Sequence, residues 1–139
     1  MSRSRSAASG AVAALVWAAL EPIDERVFQT GYSDVAALGK LVTRGRAWPL
    51  VGLTLHTANG TAFGLLVDEV RRRLDSPPTQ LALRLAMIEN IALFPLAFLV
   101  DRAHPARREP GVAPLFNVSG LAQATFRHAV FGAVLDRLR

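Results

Sequence analysis

The apolar positions of the chain gather into long stretches separated by short charged ones. From Ala47 to Val67 (AWPLVGLTLHTANGTAFGLLV) 21 residues pass without a formal charge. At 1.5 Å per helical residue this is about 30 Å, the thickness of a bilayer's hydrocarbon core. A second stretch, Leu81 to Val100, is broken only by Arg84 and Glu89. A third, Leu115 to Leu135, is broken by Arg127 and His128, and a shorter one, Ala7 to Ile23, by Glu21. A soluble amphipathic helix places a charge about every turn on its wet face, and the stretch from 47 to 67 has none. The pattern predicts an all-α fold, a four-helix transmembrane bundle with spans at about 7–28, 47–69, 80–101 and 115–137. A soluble helical bundle is the competing fold, favoured by the mean hydropathy of +0.27 and by the cost of charges at mid-span.

The spans pair into two copies of one hairpin. A shift of 68 residues lays Glu21 on Glu89, Gly52-Leu53 on Gly120-Leu121 and Thr57 on Thr125. The same shift lays Phe63-Gly64 on Phe131-Gly132, Asp68 on Asp136 and Arg71 on Arg139. The expectation is a single membrane domain over 1–139 made of tandem repeats, about 7–73 and 75–139. An even number of spans per copy makes the repeats parallel and puts both termini on one side. The first helix is expected to be retained rather than cleaved as a signal peptide, because Glu21-Pro22 sits where a cleavage site would be needed. The flanking basic residues balance across the two sides, and the triplet Arg71, Arg72 and Arg73 favours cytoplasmic termini in a multi-pass cell-membrane protein.

Composition narrows the chemistry. The chain has no cysteine, which excludes disulfides, thiolate metal sites and cysteine nucleophiles. It has 16 basic residues against 11 acidic ones, and Lys40 is the one lysine. The pI of about 11.2 does not point to nucleic acid, because the arginines flank apolar spans as headgroup anchors and do not share one face. The lipid bilayer is the expected environment, with a second copy of the chain or another membrane protein as the expected partner.

The polar residues inside the spans carry whatever chemistry there is. These are Glu21 in the first, His56 and Asn59 in the second, Glu89 and Asn90 in the third, and Arg127 and His128 in the fourth. Ionisable groups in lipid turn inward and find partners, so these seven are expected to form a polar core or an ion or proton pathway. Small residues lie on or near the same faces: Gly52, Gly60 and Gly64 in the second span, Gly120 and Gly132 in the fourth. They are expected to let the helices approach closely. Pro22 and Pro95 each free a carbonyl one turn earlier. The purely structural alternative is that the acids, Arg127 and the histidines satisfy one another and fix helix register.

A metal site is not expected, because no Glu-x-x-His or His-Glu-x-x-His occurs, and no cofactor is expected either. No Gly-x-Ser-x-Gly supports a hydrolase. Between the spans, Ser33 to Thr43 is expected to be a short helix capped by Ser33 and lying at the interface. The stretch from Ala103 to Pro114 is expected to be an exposed loop with His104 at the surface.

Four segments carry a family likeness: His56-Thr57-Ala58-Asn59-Gly60 with Phe63-Gly64, Glu89-Asn90 with Pro95, Asp101-Arg102-Ala103-His104-Pro105-Ala106-Arg107, and Arg127-His128-Ala129-Val130-Phe131-Gly132. They resemble small, uncharacterised four-span membrane proteins of high-GC actinobacteria. That resemblance implies a fold and no activity. The expected function is that of a non-enzymatic accessory or transport-type membrane component. The runner-up is an intramembrane enzyme using Glu89 and His128 as an acid–base pair, and third is a soluble bundle that binds an apolar ligand.

Overall fold

The computed structural model describes residues 2–139. The helices are α1 (Arg3–Phe28), α2 (Asp34–Val42), α3 (Trp48–Arg73), α4 (Leu81–Leu93), α5 (Ala97–Ala103) and α6 (Val118–Arg137). Among the described residues there is no strand, only isolated bridges from Tyr32 to Gly111 and Val112.

The helix starts follow local chemistry. Ser2 Oγ accepts from the Arg5 N–H, so α1 begins at Arg3, earlier than its apolar stretch. Ser33 Oγ accepts from the Ala36 N–H at 2.9 Å and opens α2 as expected. Asn117 Oδ1 does the same for the Gly120 N–H of α6 at 2.9 Å. These contacts satisfy donors that have no partner within their own helix. Pro22 lies inside α1 without ending it. Pro95 tightens the chain into a 3-10 turn, Phe94–Leu96, and α4, this turn and α5 form one rod, Leu81–Ala103.

Carboxylates from distant helices supply the caps that the local sequence lacks. The residue before α4, Gln80, is left-handed (φ 58) and makes no capping bond. Asp136 on α6 accepts instead from the Ala82 N–H at 3.0 Å and the Leu83 N–H at 2.9 Å. Glu21 plays the same part for α2, accepting from the Asp34 N–H at 2.8 Å and the Ser33 hydroxyl at 2.5 Å. Asp101 accepts from the Leu115 and Phe116 N–H groups ahead of α6. Asp136→Ala is expected to lower stability by about 1–2 kcal/mol, the scale of a lost N-terminal cap. Thermal unfolding in detergent would measure it, and an unchanged midpoint would show that α4 does not need this cap.

The helices pack as two hairpins joined through α1. In one, α1 lies along α3, and in the other α4 lies along α6; α1 also packs on α6, and α2 lies on the first turns of α3. Glycines close the seams. A Cβ on Gly60 would stand 2.5 Å from the Ala14 Cβ, and one on Gly64 would stand 2.4 Å from the Ser6 carbonyl oxygen. Gly52 meets α2 at Val35, Gly132 meets α4 at Leu83, and Gly120 meets the incoming chain at Leu115. The two hairpins close in different registers. Gly64 faces Ser6 and Gly10, whereas Gly132 faces Ala82 and Leu83; a 68-residue shift of Ser6 and Gly10 would lead to Leu74 and Pro78.

Large and small side chains are distributed inside out relative to a water-soluble core. The buried apolar set is dominated by alanine, including Ala13, Ala14, Ala82 and Ala86, and lies among buried Glu21, Asp24, His56, Asn90, Gln123 and Arg127. Ile23, Leu50, Leu66, Ile88, Ile91, Leu99 and Val118 all point outward. Among the described residues, three helical segments are long and apolar enough to cross a membrane: Arg3–Phe28, Trp48–Arg73 and Leu81–Ala103. Only 39%, 33% and 17% of their most apolar windows are buried inside the molecule, so most of each window faces outward. The fourth expected span, α6, is not among the three; Arg127 and His128 lie in its middle.

The stretch from Ala103 to Pro114 departs from expectation. Ala106 and Val112 are buried, and so is His104, whose Nε2–H donates to the Ala37 carbonyl at 2.9 Å while its Nδ1 accepts from the Ala106 N–H at 3.1 Å. The prolines do exclude helix here, but the turns fold back over α2. Lys40 Nζ donates to the Pro110 carbonyl at 2.7 Å, and Glu109 pairs with Lys40 and Arg44. Desolvation works against ionisation of Glu109, but the hydrogen bonds and charges of Arg44 and Lys40 together outweigh it and hold its carboxyl below the ordinary value.

Candidate functional site

Two polar assemblies lie side by side among the helices. The first is built on Arg127 of α6, which is almost fully buried. Its Nε and Nη2 donate to the two carboxylate oxygens of Asp24 on α1 at 2.8 and 2.6 Å. Nη1 donates to Asp34 at the start of α2 at 2.7 Å, and Nη2 also reaches the Tyr32 carbonyl at 3.1 Å. Glu21 Oε1 stands 3.7 Å from Nη1, and Gln123 Nε2 donates to Asp24 at 2.8 Å. A planar guanidinium is suited to this, since its fork engages one carboxylate bidentately and leaves a donor for another. The cluster ties α1, α2 and α6 together. Its donors and acceptors are largely spent on one another, with aspartates rather than a glutamate as the main acceptors and with neither Glu89 nor a histidine taking part.

The second assembly is a cavity of about 300 Å³. Polar groups from four helices line it: Asp34 of α2, His56 and Asn59 of α3, Glu89 of α4 and His128 of α6, with His104 beyond α5. Trp17, Tyr32, Phe63 and Phe131 supply aromatic walls. Trp17 organises one side. Its indole N–H donates to Asp34 Oδ2 at 3.1 Å, and its ring meets His56, His128 and Phe131 edge-on. The imidazoles are oriented by backbone carbonyls. His56 Nε2–H donates to the Ala14 carbonyl at 3.1 Å, and His128 Nδ1–H to the Ala124 carbonyl at 2.7 Å. The remaining nitrogen of His128, Nε2, then faces Glu89 Oε2 at 3.9 Å. Tyr32, outside the long helices, is buried, and desolvation assisted by Asp34 pushes its phenol far above its ordinary value, so it remains a neutral hydroxyl. A second cavity of about 200 Å³ adjoins the first and shares Trp17, Tyr32, Asp34 and His128.

The residues singled out from the sequence are therefore divided. His56, Asn59, Glu89 and His128 meet at the cavity. Glu21 and Arg127 belong to the ionic cluster. Asn90 is buried against Thr125 on α6, its Nδ2 donating to the hydroxyl at 3.0 Å, and it lines only the smaller space. Asn59 was expected to be buried in the core but is exposed at the cavity's edge. His104, expected at the surface, lines the wall. Trp17, Asp24, Tyr32, Asp34 and Gln123 were not singled out. Helical spacing carried signals for three of them: Trp17 lies four before Glu21, Asp24 three after it, and Gln123 four before Arg127.

Among the described residues, no group of three or more metal-ligating side chains is placed to hold an ion. No protein-family model, curated protein or solved structure matches the chain.

Proposed function

We propose that this chain is a multi-pass membrane protein of four spans, with α6 as the fourth, that acts as a transport-type component by binding a small solute in the cavity between its helices. One observation carries this reading. Ionisable groups of α2, α3, α4 and α6 converge on one space of about 300 Å³ while the large apolar side chains of the same helices face outward. Intramembrane ionisable groups facing a cavity mark solute and proton pathways. In the ionic cluster most donors and acceptors are already engaged with one another, and it serves as the frame. Both termini lie on one side of the bilayer in this reading, with the arginines of 71–73 on the cytoplasmic face.

Flux of protons or of labelled small organic ions into proteoliposomes, followed with a trapped pH dye and by label uptake under an imposed potential, tests the transport reading. Flux above protein-free vesicles that falls several-fold with Glu89→Gln supports it. Flux absent, or unchanged by Glu89→Gln, contradicts it. Recovery of the protein in the soluble fraction without detergent would overturn the membrane reading itself. A second reading, acid–base catalysis by Glu89 and His128, is favoured by the facing of Glu89 Oε2 and His128 Nε2 across 3.9 Å at the wall of the same cavity.

A further inference from the structure

We propose that the solute is a small amphipathic organic ammonium ion, which enters between α3 and α4 and seats its charge against Glu89 and its apolar part against the Trp17 face of the cavity. The inference rests on the cavity reading above and deepens it.

The sign of the ligand comes from the lining. Among the described residues, the wall carries two carboxylates, Asp34 and Glu89, and neither lysine nor arginine; Arg127, on the adjoining space, neutralises Asp34, so Glu89 sets the sign. An anion would meet like charge in a poorly solvated space. The two carboxylates differ in what they have left to offer. Asp34 already accepts from Arg127 and from Trp17. Glu89 has His128 at 3.9 Å as its one ionic neighbour, and its side chain retains 32% of its exposure. A carboxylate held at mid-helix among apolar neighbours carries a desolvation cost that a cationic ligand would relieve.

The shape of the ligand comes from the walls. Trp17 stands edge-on to His128 and Phe131 at 4.9 and 6.1 Å, and Phe63 to Phe131 at 5.3 Å. Aromatic faces attract cations and also bury apolar groups. A metal ion would need several convergent ligands, and the described residues do not supply them. A bare proton would need neither aromatic walls nor this volume, which lies at the small end of the range for organic ligands.

The route comes from the packing. The α1–α3 and α4–α6 pairs are closely joined, whereas α3 and α4 scarcely touch. Leu41, Asn59 and Leu93 line the cavity and are also exposed. The opening therefore lies on the side of the molecule among outward-facing leucines, within reach of a solute partitioned into the bilayer.

The test uses protein in lipid nanodiscs and equilibrium dialysis of three probes: benzyltrimethylammonium, its uncharged carbon isostere neopentylbenzene, and benzenesulfonate. The expected result is saturable binding of the cation, at least about tenfold tighter than either other probe, the discrimination of one modest charge interaction. Glu89→Gln should remove that preference, and Leu93→Trp, at an exposed position, should block the mouth and weaken binding with Glu89 intact. Equal or tighter binding of the uncharged or anionic probe overturns the cation assignment and leaves the cavity reading standing. Cation binding unaffected by both variants overturns the assignment to this site. Absence of binding by all three probes contradicts the cavity reading as well.

Discussion

Arg127→Met is expected to destabilise the protein by about 3–5 kcal/mol, the largest effect of any single substitution considered. The substitution roughly preserves volume but leaves Asp24, which is almost fully buried, and the neighbouring Glu21 without their cation. Removing one partner of a buried ion pair costs this much because an uncompensated charge stays behind. Three elements would loosen together, since Asp24 belongs to α1, Asp34 to α2 and Arg127 to α6. Arg127→Lys should fall between, because a lysine keeps the charge but cannot form the fork to Asp24 while also reaching Asp34. Thermal unfolding in detergent, compared across wild type, Arg127→Lys and Arg127→Met, gives the measurement. Combining Arg127→Met with Asp24→Asn should cost less than the two singles added, because the second change removes the orphaned charge. A methionine variant as stable as wild type would mean that the cluster is not the frame described here.

Gly64→Ala is expected to cost about 1–3 kcal/mol, the usual scale of overpacking, despite adding a single methyl in a helix where alanine is the better former. The methyl would stand 2.4 Å from the Ser6 carbonyl oxygen and 3.0 Å from the Gly10 Cα, and both are backbone atoms that cannot rotate away. The α1–α3 seam has to open. That seam also sets the distance between His56 on α3 and the Ala14 carbonyl on α1, so the change reaches the cavity wall. The control is Ala62→Gly, at an exposed position on the face of α3 opposite the seam, which should show only the propensity cost of about 1 kcal/mol. Detergent melting curves of both variants would check the pair. A Gly64→Ala protein more stable than wild type would contradict the close contact.

What the sequence made legible follows physical range. The helices and the small-residue seams were visible because they depend on residues within one or two turns. The cap at Ser33 depends on still fewer, whereas the 3-10 turn at Pro95 was not read from the sequence. The Glu89, His56 and His128 convergence was approachable because each is one of very few ionisable groups in a long apolar run, where such groups turn inward. The frame around Arg127 was only half visible. Asp34 lies at the polar start of its helix, where the pattern gives a carboxylate no reason to be buried, and although Asp24 shares a face with Glu21, only the folded chain brings the two within 2.6 and 2.7 Å of Arg127. His104 was placed wrongly for the same reason. Its proline-rich and charged surroundings describe the local backbone correctly, yet its burial comes from a hydrogen bond to Ala37, 67 positions away. The tight seam at Gly132 was legible, but its register was not, because register is decided by the partner helix.

The medium that touches the outward-facing leucines and isoleucines decides between a membrane and a soluble protein, and the absence of cysteine lets it be measured directly. Single cysteines placed at Leu55, Ile91 and Leu121, one on each of α3, α4 and α6 and all exposed, would carry a nitroxide in protein reconstituted into bilayers. Collisions with dissolved oxygen, which concentrates in hydrocarbon, would then be compared with collisions with a water-soluble nickel chelate. High oxygen and low nickel accessibility at all three positions is the predicted result. Free access of the nickel chelate to Ile91 or Leu121 would put water where the account requires lipid, and would contradict it.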